Sequence, residues 1–204
     1  IFWQIACGVA YCHDQRIAHR SLKPEAIMVE NGVVALANFN LAVRLGAGRH
    51  GAECRDKCGT MPFVAPEVLA GKRYDALAAD VWSVGVVLLE MLCGINKLPR
   101  MLGWAPTPTP SRERAMDIER FFSDPTELLA SLKADLGDPP ESLLELVPKL
   151  LCVAPSSRPL ASEARDSSWA RLGARELASE GEDTPSGVAA EEEEDHGDEA
   201  SHKA

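Results

Sequence analysis

Residues that could take part in chemistry are concentrated in three short segments of this 204-residue chain. Residues 19–26 include a histidine, an arginine, a serine and a lysine, residues 38–40 are an Asn-Phe-Asn triplet, and residues 59–67 form the third segment. Ser21 offers only a neutral hydroxyl, which is a very poor base near neutral pH. The triplet offers only neutral amide oxygens and Ala26 offers no side-chain ligand at all, so Glu25 and Glu67 are the only acidic residues of the three segments.

Cysteine and histidine residues do not show the spacing of a metal site. The six cysteines, spread through apolar segments and one loop, lack the density of a disulfide scaffold, so reduced thiols are expected. Cys54 and Cys58 form a lone C-x3-C pair; a metal site is not predicted there, and a redox-sensitive pair is an open alternative. Metal-ligand spacing is also absent among the histidines, which are His13, His19, His50, His196 and His202.

The elements that must position the three segments follow from hydrophobic periodicity. Apolar residues at helical spacing predict a helix over residues 1–15, directly before the first segment. Two β-prone runs flank Asn31-Gly32, a strong hairpin signal, so a small hairpin is expected to join the first segment to the second. Residues 38–67 are rich in glycine and polar side chains and predict a long loop, which in a compact domain is usually functional.

The second half of the chain is predicted to be helical. Residues 76–93 are apolar nearly all round, which indicates a buried central helix that Gly94 ends. Asp80, near the start of this helix, is expected to cap it or to bind a loop. Four prolines make residues 99–111 a connector. Three further helices are predicted over residues 125–136, 141–152 and 161–172.

The acidity of the chain is confined to its end. Of 31 acidic and 21 basic residues, 11 acidic and 2 basic ones lie from Gly173 onward. This stretch has few large apolar residues, so we expect one domain over residues 1–172 and a disordered acidic tail over residues 173–204. The tail is interpreted as solubilising, or alternatively as an arm for a basic partner. A nearly neutral domain with an acidic tail argues against nucleic acid as a ligand.

No membrane segment is predicted. The longest apolar stretch, Val81 to Ile95, contains Ser83 and Glu90 and is shorter than the roughly 20 residues that a bilayer span needs. No signal peptide opens the chain, so a soluble intracellular protein, cytoplasmic or otherwise, is expected. The chain begins at Ile1 within an amphipathic pattern, which suggests a fragment or truncation.

Several short motifs follow one another in a fixed order. They are His19-Arg20, Lys23-Pro24-Glu25, Phe39, Gly59-Thr60, Ala65-Pro66-Glu67, Asp80-Val81-Trp82-Ser83 with Gly85, and Arg158 between two prolines. Together they resemble the larger, C-terminal lobe of a protein kinase of the serine/threonine, calcium/calmodulin-dependent-like type. The resemblance covers residues 1–172 and implies a mainly α fold with a small β-hairpin, while the N-terminal lobe is absent from this chain.

The resemblance implies structural roles for six residues. Glu67 and Arg158 match a buried ion pair that suits a bidentate guanidinium fork. Asp80 matches a carboxylate that accepts hydrogen bonds from the catalytic-loop backbone. The residues that build that loop are His19, Arg20 and Phe39.

The resemblance also implies an impaired active site. Ser21 stands where the family has its catalytic aspartate, and Asn38 and Ala26 stand where it has an aspartate and an asparagine that bind Mg²⁺. Lys23 is expected near the transferred phosphate and Thr60 beside the catalytic loop. We therefore expect a degenerate, pseudokinase-like site with no intact metal ligand set.

Asp56 is a candidate regulatory residue. Many related kinases have a phosphorylatable threonine two residues before the cysteine of Cys-Gly-Thr, and this sequence has Asp56 at that place. We hypothesise that Asp56 supplies a permanent negative charge to Arg20 and orders the loop without phosphorylation. An exposed loop aspartate without this role is the alternative.

Three functions are compatible with the sequence. The leading hypothesis is a catalytically impaired kinase-like domain that binds or scaffolds a protein partner. The first alternative is an active ATP-dependent serine/threonine kinase completed by an upstream N-terminal lobe, and the second is a decayed gene product. ATP and Mg²⁺ are implied by the family, but no cofactor is expected for this chain alone, and no nucleic-acid or membrane partner is expected.

Overall fold

The computed structural model describes residues 1–46 and 53–181, with side chains as far as residue 174. Gly48 and Gly51 of the predicted loop, and the part of the predicted tail over residues 182–204, lie outside the described residues.

Helices make up most of the described chain, as the sequence predicted. Three two-stranded antiparallel sheets accompany them in the described residues: β1 (Ile17–Ala18) with β4 (Val43–Arg44), β2 (Ile27–Glu30) with β3 (Val33–Leu36), and β5 (Glu53–Cys54) with β6 (Tyr74–Asp75). The helices are α1 (Phe2–Asp14), α2 (Pro66–Ala70), α3 (Ala76–Cys93), α4 (Lys97–Met101), α5 (Arg112–Phe121), α6 (Thr126–Leu136), α7 (Glu141–Leu150), α8 (Ala161–Arg165) and α9 (Ser168–Gly181).

The core is built around α3, whose bounds are those the sequence predicted. The Asp75 side chain caps the start of the helix by accepting hydrogen bonds from the backbone amides of Leu77 and Ala78. Gly94 ends the helix with a positive φ of 86°. The helix is long and apolar enough to cross a membrane, but 72% of it is buried inside the structure, as expected for a core helix. Large side chains that it buries fully are Trp82, Leu88 and Leu89.

The predicted first helix and hairpin are both present, and one glutamine joins them. The Gln4 side chain in α1 donates to the Gly32 carbonyl oxygen over 2.8 Å and accepts from the Val34 amide over 2.8 Å. This pair of bonds ties the hairpin turn to α1. The hairpin therefore has a fixed position relative to the helix that precedes the first motif segment.

Part of the predicted long loop is ordered by short pairings. β4 returns to pair with β1, and β5 pairs with β6, which lies beyond the loop. The end of the loop becomes helix α2, with Pro66 at its first turn, where proline is tolerated. The described parts of residues 38–67 are therefore held at both ends.

Two predictions about the second half were incomplete. The connector predicted over residues 99–111 begins inside α4, because Pro99 lies in the first turn, where its missing N–H costs no helical bond. Helix α5 was not predicted, since most of its residues are charged and it buries only Ala115 and Ile118.

The C-terminal helix predicted over residues 161–172 is two helices, α8 and α9, separated at Asp166 and Ser167. Helix α9 also runs beyond the predicted boundary at residue 172 and ends at Gly181. Trp169 anchors it by packing against Phe2 with ring centroids 5.4 Å apart. The residues that follow are mostly good helix formers, so the helix continues past the anchored turn.

Candidate functional site

A single buried carboxylate holds the loop that follows β1. Asp80, on α3, is 1% exposed; its two oxygens accept from the backbone amides of His19 and Arg20, each over 2.7 Å. Arg20 has a left-handed φ of 61°, which is uncommon for a residue with a side chain and needs such support. Asp80 therefore binds the loop, whereas Asp75 is the residue that caps α3.

His13 is a partner of Asp80 that sequence reasoning missed. Its Nε2 lies 3.1 Å from Asp80 Oδ2, and its side chain is 10% exposed. Because the contact joins the end of α1 to α3 across 67 residues, no local spacing pattern identifies it. His13 links the helix before the loop to the carboxylate that shapes the loop.

The His19 ring is fixed by three contacts. Its Nε2 lies 2.9 Å from the Ala37 carbonyl oxygen, and its Nδ1 lies 3.3 Å from the Ser21 amide, which can only donate. The ring therefore carries its proton on Nε2 and accepts on Nδ1. Phe39 packs against the same ring with centroids 4.6 Å apart. His19 thus joins the first motif segment to the Asn38-Phe39-Asn40 triplet.

Ser21 and Thr60 line one small cavity between the first and third motif segments. Its volume is about 20 Å³, enough for a single water molecule. Gly59 permits this close approach, since a Cβ there would lie 3.2 Å from the Arg20 carbonyl oxygen and 3.0 Å from Val64 Cγ2. Thr60 is exposed and lies beside the loop.

The hairpin brings positions 26 and 38 close together at its open end. The Ala37 amide donates to the Ala26 carbonyl oxygen over 2.9 Å, and β2 and β3 begin and end at the adjoining residues. Ala26 is fully buried, while Asn38 is exposed with a left-handed φ of 61°. Lys23 lies before a short 3-10 turn that leads into β2 and is partly buried.

The end of the third segment is tied to the distant loop after α7 by an ion pair. Arg158 Nη1 and Nη2 donate to the two carboxylate oxygens of Glu67 over 2.7 and 2.9 Å. The Arg158 side chain is fully buried and that of Glu67 is 12% exposed. The pair joins residues 91 positions apart, so it fixes the third segment against the helical core.

Arg20 lies between the loop and the third segment. Its Nε donates to the Leu41 carbonyl oxygen over 2.7 Å, and its Nη1 lies 3.7 Å from Asp56 Oδ2. The Arg20 side chain is 13% exposed, whereas that of Asp56 is 83% exposed. The expected contact between Arg20 and Asp56 is present, and the Asp56 carboxylate faces solvent.

A model of the protein kinase domain matches residues 1–170 of this chain. The chain belongs to the protein kinase family. Serine/threonine kinases are among its relatives, which supports that type of kinase domain.

Three relatives illustrate the range of similarity. Serine/threonine protein kinase OSK3 of Oryza sativa subsp. indica is 32% identical over 177 residues, which cover 84% of this chain and 30% of that protein. Sperm motility kinase 3A of Mus musculus is 33% identical over 182 residues, 85% of this chain and 30% of that protein. CBL-interacting serine/threonine-protein kinase 9 of Arabidopsis thaliana is 43% identical over 94 residues, 46% of this chain and 21% of that protein. The chain therefore spans less than a third of the length of these relatives.

Kinase family membership implies the use of ATP and Mg²⁺, but the donor groups of this kinase chain do not fit a Mg²⁺ ion well. Mg²⁺ prefers carboxylate oxygens with near-octahedral geometry. Position 26 is a buried methyl group and position 38 carries a neutral amide. In the described residues no three His, Cys, Asp or Glu side chains are grouped so that they could hold a metal ion.

Proposed function

We propose that this chain is a catalytically impaired, pseudokinase-like domain that acts by binding a protein partner. The observation that carries the proposal is the chemistry at positions 21, 26 and 38, which are serine, alanine and asparagine. The proposed lobe assignment is the C-terminal lobe over residues 1–172. It is supported by the mostly helical architecture and the small β-hairpin.

The chemical argument concerns charge. Phosphoryl transfer needs a carboxylate that positions the substrate hydroxyl and accepts its proton, and Mg²⁺ ions that neutralise charge on the phosphates. A serine hydroxyl at position 21 is a poor base, and loss of a general base alone costs roughly 10²–10⁴ in rate. A methyl group at position 26 and an amide at position 38 weaken metal binding in addition.

The retained contacts support a folded binding module. Asp80 still holds the loop, and the Glu67–Arg158 pair still anchors the third segment. Neither contact requires the lost carboxylates, so the fold does not depend on catalytic competence. The partner is expected to be a protein.

The alternative function is an active serine/threonine kinase completed by a further, ATP-binding lobe. Its support is the relatedness to serine/threonine kinases over 84% of the chain, together with the retention of Lys23. Glu25 and Asn40 are exposed and lie close in sequence to positions 26 and 38. Their side-chain oxygens offer alternative metal ligands.

The deciding experiment measures Mg²⁺-dependent phosphate transfer by the full-length protein. Its comparison variant carries Ser21→Asp, Ala26→Asn and Asn38→Asp. We expect no transfer above background from the unmodified protein and a gain of activity in the variant. Lys23→Ala in the variant is the control and should lower the gained activity. Robust transfer by the unmodified protein would contradict the proposal.

The Arg20–Asp56 contact is the proposed regulatory feature of this domain. A carboxylate at position 56 gives Arg20 a negative partner without phosphorylation, which supports a permanently ordered third segment. The high exposure of Asp56 means that solvent screens the attraction. The contact therefore biases the position of the segment and adds little to global stability.

A further inference from the structure

Two cysteines just before the third segment, Cys54 and Cys58, both lie beside one tyrosine. Cys54, on β5, is the direct cross-strand neighbour of Tyr74 on β6, so their side chains are on the same face of that sheet. Cys58 Sγ lies 3.6 Å from the hydroxyl oxygen of Tyr74. Both thiols are free and partly exposed. Both thiols, four positions apart in the sequence, are therefore neighbours of the Tyr74 side chain.

The hydrogen bonds of Tyr74 orient the Cys58 side chain. The Tyr74 hydroxyl has one proton, which it donates to the Asp56 carbonyl oxygen over 2.9 Å. The Cys58 S–H therefore donates to the Tyr74 oxygen. This bond holds Cys58 towards the same face of β5–β6 on which Cys54 lies.

Arg20 supplies a positive charge beside Cys54 and Tyr74. Burial raises the pKa of the Cys54 thiol, and the nearby Arg20 guanidinium offsets only part of this rise, so the pKa stays above its ordinary value. The same guanidinium lies close to Tyr74, whose bond orients Cys58. Arg20 is 13% exposed in its side chain, so its charge is only partly screened by solvent.

We propose that Cys54 and Cys58 are a reversible redox site that forms an intramolecular disulfide with hydrogen peroxide. The Cys58 thiolate attacks one peroxide oxygen; an S–O bond forms, the O–O bond breaks, and the released hydroxide takes up a proton to become water. The Cys54 thiolate then attacks the sulfenic sulfur; the S–S bond forms, the S–O bond breaks, and a second water leaves. Two thiols lose two electrons and two protons, and one peroxide becomes two waters.

The irregular segment between the cysteines is the part of the chain that would move to close the bridge. A disulfide needs the two Cα atoms within about 7 Å of each other. Residues 55–58 have no regular secondary structure, so closing the bridge breaks no helix and no sheet pairing beyond Cys54. The bridge would enclose Asp56, the partner of Arg20, in a short loop. Oxidation is therefore expected to change how that carboxylate faces Arg20.

The test uses the trypsin sites between the two cysteines. Trypsin cleaves after Arg55 and after Lys57, so in the reduced 204-residue protein Cys54 and Cys58 appear on separate peptides. After hydrogen peroxide treatment of the folded protein and alkylation of free thiols, we expect the two peptides joined by a disulfide. The joined species should be the main form of Cys58 and should disappear after treatment with dithiothreitol.

Controls come from the other cysteines of the chain. Cys152→Ser should leave the joined peptides unchanged, and Cys54→Ser should abolish them and leave Cys58 as a sulfenic acid that dimedone traps. Cys93 is an internal reference, because burial and Asp135 raise the pKa of its thiol to about 11 and should keep it unoxidised. Unmodified Cys58, Cys58 oxidised without linkage to Cys54, or Cys58 linked to another cysteine would each overturn the proposal.

Discussion

At the scale of single residues, Arg158 shows how this domain tolerates a buried charge. All five N–H donors of its guanidinium are used: Glu67 takes two, and the carbonyl oxygens of Cys152, Ala78 and Val153 take three. Trp82 lies under the guanidinium with its ring centroid 5.1 Å away. Because every donor has a partner, the cost of burying the charge is offset locally.

The first prediction removes one partner of this charge. Glu67→Gln leaves the Arg158 charge buried without its carboxylate, and we expect a loss of about 3–5 kcal/mol in the free energy of unfolding. Urea denaturation of the purified chain measures it. Glu145→Gln is the matched control, since Glu145 and Lys149 form an exposed pair 4.0 Å apart whose loss should cost less than about 0.5 kcal/mol. Equal effects of the two variants would contradict the assigned anchoring role.

The second prediction concerns Asp56. If its carboxylate orders the third segment through Arg20, Asp56→Ala should increase hydrogen exchange of the amides around residues 53–60 without a measurable change in global stability. Arg55→Ala, which changes the exposed residue next to Asp56, is the control. Unchanged protection of these amides in Asp56→Ala would refute the regulatory hypothesis.

Sequence reasoning named candidate site residues, and some of their contacts were expected while others were not. The positions of His19, Asp80, Glu67 and Arg158 followed from motif order, and the structure gives each a partner. His13 was missed because its partner lies 67 positions away and nothing local marks it. A single sequence shows only the spacing of residues along the chain, whereas the contact between His13 and Asp80 depends on how α1 packs against α3.

At the scale of elements, α3 is positioned by one glycine. A Cβ at Gly85 would lie 2.9 Å from both Leu150 Cβ and Leu151 Cδ2, which is too close for packed atoms. Helix α7 therefore lies directly against the backbone of α3. The closeness of the two helices depends on the missing side chain.

The third prediction tests this contact with a pair of identical substitutions. Gly85→Ala forces α7 away from α3, and we expect a loss of about 1–3 kcal/mol in the free energy of unfolding. Gly173→Ala in α9 meets no atom within 4 Å and should stabilise by up to about 1 kcal/mol, because alanine is the better helix former. Thermal or urea unfolding of both variants is the measurement. Stabilisation by Gly85→Ala would show that α7 does not pack this closely.

The fourth prediction concerns the break between α8 and α9. The hydrogen bond from Arg165, with a further one from Arg171, lowers the pKa of Asp166 from 3.8 to about 2. A carboxyl whose pKa is lowered by folding stabilises the native state above its ordinary pKa, and this contribution is lost as the pH falls through about 2. We expect the unfolding temperature to fall less steeply between pH 4 and pH 2 in Asp166→Asn than in the unmodified chain. The difference should shrink at high salt, and parallel pH profiles would contradict the assignment.

Elements were predictable where hydrophobic pattern decides them. The bounds of α3 and the hairpin came directly from apolar runs and from Asn31-Gly32. Helix α5 was not predictable, because its charged sequence has almost no periodic apolar residues. Its position depends on packing against α2. The division into α8 and α9 falls between Ala164 and Trp169, where four polar residues interrupt the apolar spacing that predicted one helix.

At the scale of the whole molecule, one face of the hairpin packs on the core, and the other exposes two large apolar side chains beside the charged Glu30. Ile27, Val34 and Leu36 pack against the core on the inner face. On the outer face Met28 and Val33 are 60% and 64% exposed. A two-stranded sheet at a protein surface usually alternates apolar and polar residues, so this outer face is unusual and favours association in water.

The fifth prediction is that this outer face lowers the solubility of the isolated chain. Met28→Lys together with Val33→Thr keeps strand-compatible residues and the inner face, but removes the outer apolar surface. We expect the isolated 204-residue chain to self-associate with increasing concentration, and the double variant to do so less, as measured by sedimentation velocity. Met116→Lys is the control, because Met116 is 49% exposed on α5 and belongs to a different surface. If the control suppresses association as strongly as the double variant, net charge and not the hairpin face is the cause; if the unmodified chain stays monomeric throughout, its exposed apolar face is too small to drive association.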